Sequence, residues 1–148
     1  MSLRRRLKKA KELGASETFN AKDVDVVSEV MALTNNKGVD IVVETAGSKT
    51  TTLQTADMVK PGGTIVLVGL TPDPIIEFNI GKIMAKEARI ETVFRYRNLY
   101  QVAINAVSNS LIPINDIVTH SFTFDEIQEG IEYNIHNKDI VVKAIIEM

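Results

Sequence analysis

Apolar residues recur along this chain in two alternating rhythms, and the alternation predicts a β/α order of elements. Leu7, Ala10 and Leu13 keep helical spacing over residues 6–13, and Gly14 is placed as the stop beyond the last turn. Glu17-Thr18-Phe19-Asn20 reads as a short strand. Val24, Val27, Val30 and Met31 line one side of a second helix over 24–33, which Asn35-Asn36-Lys37-Gly38 ends with turn chemistry. Val39-Asp40-Ile41-Val42-Val43-Glu44 is a buried strand, and Thr45-Ala46-Gly47-Ser48 brings a glycine and a hydroxyl before the next helix. Pro61-Gly62-Gly63 closes that helix and opens Thr64-Ile65-Val66-Leu67-Val68, the most apolar β-branched strand of the chain, which stops at Gly69.

The second half continues the alternation. The run from Arg89 to Phe94-Arg95-Tyr96 is a strand leading into a helix that Asn98 caps, with Leu99, Val102, Ala103, Ala106 and Val107 on one face. A strand over 117–122 follows, then Thr123 and Glu126 at capping-box spacing, and a last strand over 140–146. Repeated β-branched strands separated by helices predict an α/β fold with a parallel sheet, helices on its faces, and ligands held at the carboxyl ends of the strands. Gly47 and Gly69 end two such strands, where the lack of a β-carbon admits a nucleotide close to the backbone. Arg95 and Tyr96 end a third, offering a fork of donors and a hydroxyl to a polar, hydroxylated ligand.

Composition narrows the chemistry. With 148 residues and 45% hydrophobic content the chain has material for a core, and a net charge of −2 gives no field for nucleic acid or an anionic membrane. No apolar run approaches the roughly 20 residues that span a bilayer, so a cytoplasmic protein is expected. The sequence has no cysteine and only two histidines, which excludes a disulfide framework and thiolate or histidine-rich metal sites. His120 lacks a nucleophile in a recognisable motif, and His136 reads as a solvent-facing helix end; both are structural readings. Glu44 is a strand-end carboxylate able to serve as acid or base, although a crevice-lining role without a catalytic partner fits better. The basic opening, Arg4-Arg5-Arg6 with Lys8, Lys9 and Lys11, sets positive charge against a helix macrodipole and has no interleaved aromatics for nucleic acid. No Gly-x-Gly-x-x-Gly occurs, so the turn that carries a pyrophosphate on a helix N-terminus is absent from these residues.

Val93-Phe94-Arg95-Tyr96-Arg97-Asn98, together with Gly62-Gly63-Thr64-Ile65-Val66-Leu67-Val68-Gly69-Leu70 and Val118-Thr119-His120, resembles the sorbitol (polyol) dehydrogenase branch of the zinc-dependent medium-chain dehydrogenases. The resemblance runs upstream through Glu44-Thr45-Ala46-Gly47 to Arg6-Leu7-Lys8-Lys9-Ala10-Lys11-Glu12-Leu13-Gly14-Ala15 and covers nearly the whole chain. It implies the C-terminal portion of such an enzyme: a partial, doubly wound, Rossmann-like domain over residues 1–110, and a segment over 111–148 that returns to the catalytic domain. The family's first two strands and glycine fingerprint would precede this sequence, with Met1 in register with the acidic residue that binds the adenosine ribose. By the same resemblance Val68, Gly69 and Leu70 lie along the nicotinamide half of NAD. Val93, Phe94 and Arg95 border the cofactor, Arg95 and Tyr96 hold polyol hydroxyls, and Arg6 lies near the adenosine ribose. The choice between NAD and NADP is read mainly at the missing acidic position. The family's zinc and its ligands fall outside this chain, which is therefore expected to be inactive alone. In strand order 3-2-1-4-5-6, losing strands 1 and 2 isolates the strand at Glu17–Asn20, which must be displaced or paired elsewhere. Homo-oligomerisation through sheet edges is expected, with residues 90–93 as a second candidate edge. The competing expectation is a non-catalytic α/β interaction or oligomerisation module.

Overall fold

The computed structural model describes residues 2–138 and 140–148. The chain divides into two compact units: one is Val24–Arg97, and the other joins the stretch ending at Asp23 to the stretch beginning at Asn98.

The first unit is a β/α layer. Helix α2 (Val26–Leu33) starts two residues later than its apolar pattern, because Asp25 caps it by accepting the Ser28 N–H at 2.8 Å. That bond holds the Asp25 carboxyl below its ordinary pKa. Asn35 and Asn36, both at positive φ, turn the chain into β1 (Val39–Glu44). After a Ser48-capped helix α3 (Lys49–Met58) come β2 (Val59–Leu67), α4 (Ile80–Ala85) and β3 (Arg89–Thr92). The three strands form one parallel sheet in the order β1-β2-β3, with Val42 beside Ile65 and Ile65 beside Ile90. The parallel α/β architecture expected from the sequence is present. Val42, Ala56, Val59, Ile65 and Ile83 are buried together, with Met58, Leu67 and Phe78 packed around them.

Two features of this unit depart from the sequence expectation. Helix α3 stops at Met58 and Pro61-Gly62-Gly63 lies inside β2, not before it. Val39 pairs with Val59 but Ile41 pairs with Thr64, so residues 60–63 bulge out of the ladder, where proline is tolerated. Helix α4 went unseen because Gly81 and the prolines upstream mask a short helix that Asn79 caps through the Lys82 N–H. Lys86 then closes the C-terminal end of α3 from outside, its ammonium donating to the carbonyls of Ala56, Asp57 and Val59 at 2.6–2.9 Å. Partial burial pushes the Lys86 pKa down, with nearby Asp57 pulling it back up. At the sheet's amino end Lys60 pairs with Asp40, holding that carboxyl below its ordinary pKa.

The second unit carries α1 (Ser2–Glu12), α5 (Tyr100–Ser108), β4 (His120–Thr123), α6 (Ile127–His136) and β5 (Ala144–Glu147). Strands β4 and β5 pair in parallel, and α6 crosses between them. Gly130 of α6 lies on the Phe122 ring, where a β-carbon would sit 3.0 Å from ring atoms. Glu17–Asn20 is not a strand. It makes no ladder among the described residues, and its ends are tied locally: Glu17 accepts from Lys11 at 2.8 Å, and Asn20 bonds the Lys22 N–H and the Asp23 carboxylate. Asn98 does not cap α5. It stands at φ 62 while Leu99 occupies the cap position without a side-chain bond. The strand expected over 117–122 shortens to β4, because residues 114–117 coil into a 3-10 turn. The last strand begins only at Ala144, because Thr119 Oγ1 accepts from the Val142 N–H at 3.0 Å.

The Thr123–Glu126 capping box forms as its spacing predicts, with Glu126 accepting both the Thr123 N–H and hydroxyl. These bonds lower the Glu126 pKa in the folded state. A carboxyl lowered on folding stabilises the fold above its unfolded pKa and loses that contribution as pH falls through the folded value. Thermal melts of Glu126→Gln should therefore show a smaller loss of stability than the parent on acidification below about pH 4.5, and parallel curves would contradict this. Lys86→Met should cost about 1–2 kcal/mol in urea unfolding by leaving the α3 carbonyls without their donor.

Candidate functional site

The carboxyl ends of β1, β2 and β3 lie side by side, and the residues following them form the candidate site. Glu44 ends β1 beside Leu67 of β2, and Leu67 stands beside Thr92 of β3. The carbonyl of Glu44 accepts two further N–H groups, from Val68 at 2.9 Å and Gly69 at 3.0 Å, so the chain leaving β2 curls over the end of β1. Val93 N–H donates to the Leu67 carbonyl at 2.9 Å, which extends the β2–β3 pairing one step toward Phe94.

The Glu44 side chain is 4% exposed. Its carboxylate accepts the N–H of Ala46 at 2.9 Å, the N–H of Gly47 at 3.0 and 3.2 Å, and the Thr51 hydroxyl at 2.7 Å. A buried carboxylate is tolerated only when such donors replace its water. Ser48 caps α3 through the Thr51 N–H at 3.1 Å, so the Thr45–Ser48 turn is fixed from both sides. The turn lies hard against the β2 exit. A β-carbon on Gly47, which stands at φ 63, would come 2.4 Å from the Leu70 carbonyl oxygen. One on Gly69 would come 2.2 Å from the Gly47 nitrogen and 2.6 Å from a Glu44 carboxylate oxygen.

This packing leaves the expected cofactor residues facing outward. Val68 and Leu70 are exposed, Leu70 at 73%, and beyond β3 Val93 and Phe94 are exposed as well. The Arg95 guanidinium lies over the Phe94 ring, 4.8 Å from its centroid, in cation–π geometry. Tyr96 is 62% exposed, and Arg97 and Asn98 follow at positive φ, bending the chain away before α5. A cleft of about 330 Å³ is lined by Glu44, Thr52, Leu67, Gly69, Phe78 and Ile90. Val68, Gly69, Leu70, Val93, Phe94, Arg95 and Tyr96 thus belong to one unit and to adjacent strand ends. Arg6 belongs to the other unit, where its guanidinium donates to the carbonyls of Lys138 at 3.1 Å and Val141 at 3.4 Å.

The two histidines take structural places. His120 stacks on Tyr133 with ring centroids 5.1 Å apart and shares a hydrogen bond with the Thr119 hydroxyl; His136 sits in the last turn of α6. Sequence reasoning undervalued Glu44 and Thr51. The seven-residue spacing of a strand-end carboxylate and a hydroxyl inside the next helix was the signal available. The sequence has no cysteine, and among the described residues no three of His, Asp and Glu gather as a metal site. No helix among the described residues is long and apolar enough to cross a membrane.

Residues 2–109 match the zinc-binding dehydrogenase family. Among curated relatives, a zinc-type alcohol dehydrogenase-like protein of Escherichia coli K12 is 36% identical over 99% of this chain and 42% of its own length. A putative D-xylulose reductase of Rhizobium meliloti 1021 is 34% identical over 89% of this chain and 38% of its own, and the sorbitol dehydrogenase of Bacillus subtilis is 29% identical over 95% and 40%. Among solved structures, an Escherichia coli oxidoreductase/dehydrogenase of unknown specificity superposes with a TM-score of 0.87 at 36% identity, over 98% of this chain and 42% of that one. A putative zinc-binding dehydrogenase of Sinorhizobium meliloti 1021, bound to NADP, gives 0.85 at 26% identity, over 99% and 44%. The chain spans about two fifths of the length of the curated relatives it matches, in their C-terminal portion.

The tight Gly47–Gly69 approach predicts that Gly69→Ala costs about 1–3 kcal/mol, because backbone on both sides must shift. Urea denaturation measures this, and an unchanged midpoint would contradict the packing. Together the match and the parallel strand ends establish that this chain belongs to the zinc-binding dehydrogenase family.

Proposed function

We propose that this chain is the C-terminal portion of an NAD-dependent polyol dehydrogenase, contributing cofactor and substrate contacts and inactive alone. The observation that carries the reading is the juxtaposition of two exposed strand exits, Val68-Gly69-Leu70 and Val93-Phe94-Arg95, at the carboxyl edge of one parallel sheet. A nicotinamide ring needs a flat, mostly apolar backbone surface at such an edge, and Val68, Leu70 and Val93 supply one. NAD, when bound, accepts the hydride from the alcohol carbon. Arg95 and Tyr96 orient the polyol, the guanidinium donating to hydroxyl oxygens and the phenol donating or accepting. Arg6 is assigned to the adenosine ribose and meanwhile donates to the carbonyls of Lys138 and Val141. The NADP-bound relative keeps NADP as the alternative cofactor. The xylulose reductase and the sorbitol dehydrogenase among its relatives support a polyol substrate. The family resemblance supports a cofactor-domain portion over 1–110, a returning segment over 111–148 and a cytoplasmic setting.

A second reading, an interaction or oligomerisation module, is favoured by a specific feature. β1 pairs on one side only, and its outward-facing Ile41 and Val43 are 60% and 56% exposed. An open apolar strand edge associates. Homo-oligomerisation through β1, or through β3 and residues 90–93, belongs to both readings.

Titration of NADH fluorescence with this chain, beside an assay with sorbitol and zinc, separates the readings. The expected outcome is saturable NADH binding without turnover. Turnover would contradict inactivity alone, and absence of binding would leave the module.

A further inference from the structure

We infer that Glu44 is a positioning residue for the cofactor, holding the Val68–Leu70 shelf in place through the Gly47 turn. The inference rests on the assignment of that shelf to the nicotinamide half of NAD. Glu44 acts on the shelf along two routes. Its carbonyl takes the Val68 and Gly69 N–H groups at 2.9 and 3.0 Å, which fixes where the chain leaves β2. Its carboxylate takes the Ala46 and Gly47 N–H groups and the Thr51 hydroxyl, which presses the Gly47 backbone against Leu70.

The two glycines pack backbone to backbone: a β-carbon on Gly69 would lie 2.2 Å from the Gly47 nitrogen, so no side chain fits between them and the height of the shelf follows the position of the turn. The turn in turn follows the carboxylate, because its donors point inward to a group only 4% exposed. An acid–base role does not suit this arrangement. One oxygen of the carboxylate is engaged by three donors and the other faces Gly47 and Gly69, so the group is spent on backbone and on Thr51. A substrate hydroxyl would have to displace those donors to reach it.

Glu44→Gln keeps the size of the side chain but places an amide N–H₂ where the Gly47 N–H is now received by an oxygen, setting donor against donor. Thr51→Val removes one donation, keeps the helix and serves as a milder second variant. Two readouts on the full chain test the inference. In amide hydrogen exchange, Glu44→Gln should speed Ala46, Gly47 and Gly69 by about tenfold while leaving the Ile65 amide at its parent rate, as expected for a local loss of a charge-assisted bond. Thr51→Val should give the same pattern at smaller amplitude. In binding, Glu44→Gln should weaken NADH by about tenfold and leave ADP-ribose, which lacks the nicotinamide, unchanged. A purely structural role weakens both ligands alike and speeds exchange uniformly, and either result would overturn the inference. So would unchanged exchange at residues 46, 47 and 69. A parent chain that binds neither ligand would overturn the cofactor reading and with it the purpose assigned to the clamp, whatever the exchange pattern. Local exchange with equal weakening of both ligands would overturn the positioning role alone.

Discussion

A carboxylate at the end of a buried strand must find donors inside the protein or remain in water. Glu44 finds them in the turn that follows it, and the rest of the candidate site is arranged around that choice. Because the turn folds back onto its own strand, α3 starts in a fixed place and Gly47 meets the exit of β2. Because Gly47 and Gly69 lack side chains, the two backbones can touch. Removing the donors from a buried charge costs several kcal/mol in proteins generally, so the turn is not free to open while Glu44 stays charged and inside. The apolar shelf lies beside this clamp: the Glu44 carboxylate, the Ala46 and Gly47 amides and the Thr51 hydroxyl satisfy one another, and Val68 and Leu70 face outward.

Much of this was legible in the sequence, for a local reason. The bounds of β1 are read correctly to the residue, because Val39–Glu44 is rich in β-branched residues and is bracketed by Gly38 and Gly47, but its expected burial is not: Ile41 and Val43 are exposed, and only Val42 and Glu44 are buried. The Ser48 cap and the Thr123–Glu126 box are equally local, since capping depends on spacing alone. The failures have a different origin. Thr18-Phe19 has the composition of a strand but no strand to pair with among the described residues, and pairing is not written in any single segment. The Pro61–Gly63 bulge lies within β2 because Val39 and Ile41 find partners on either side of it, which is a property of register between two segments. Asn98 has a capping side chain but a left-handed backbone, which leaves it outside the cap position of α5.

The candidate site divides along the same line. Phe94-Arg95-Tyr96 announces itself as a motif, and the structure gives it a physical form: the Arg95 guanidinium lies on the Phe94 ring, which limits the side chain's freedom before any ligand arrives. The importance of Glu44 does not announce itself. A strand-end glutamate looks like a candidate acid or base until its four short contacts are seen, and those contacts exist only after the turn has folded. Arg6 was expected from resemblance and occupies its own unit, tied to two backbone carbonyls of the C-terminal stretch.

The central claim is that the Glu44-held exit of β2 carries the nicotinamide end of a dinucleotide. A crystal structure of the chain with NADH tests it most directly. The nicotinamide ring is expected against Val68–Leu70 and beside Val93, with the Glu44 carboxylate still bonded to the amides of Ala46 and Gly47. A ring bound elsewhere, or a Glu44 side chain turned out to meet the ligand, would contradict it.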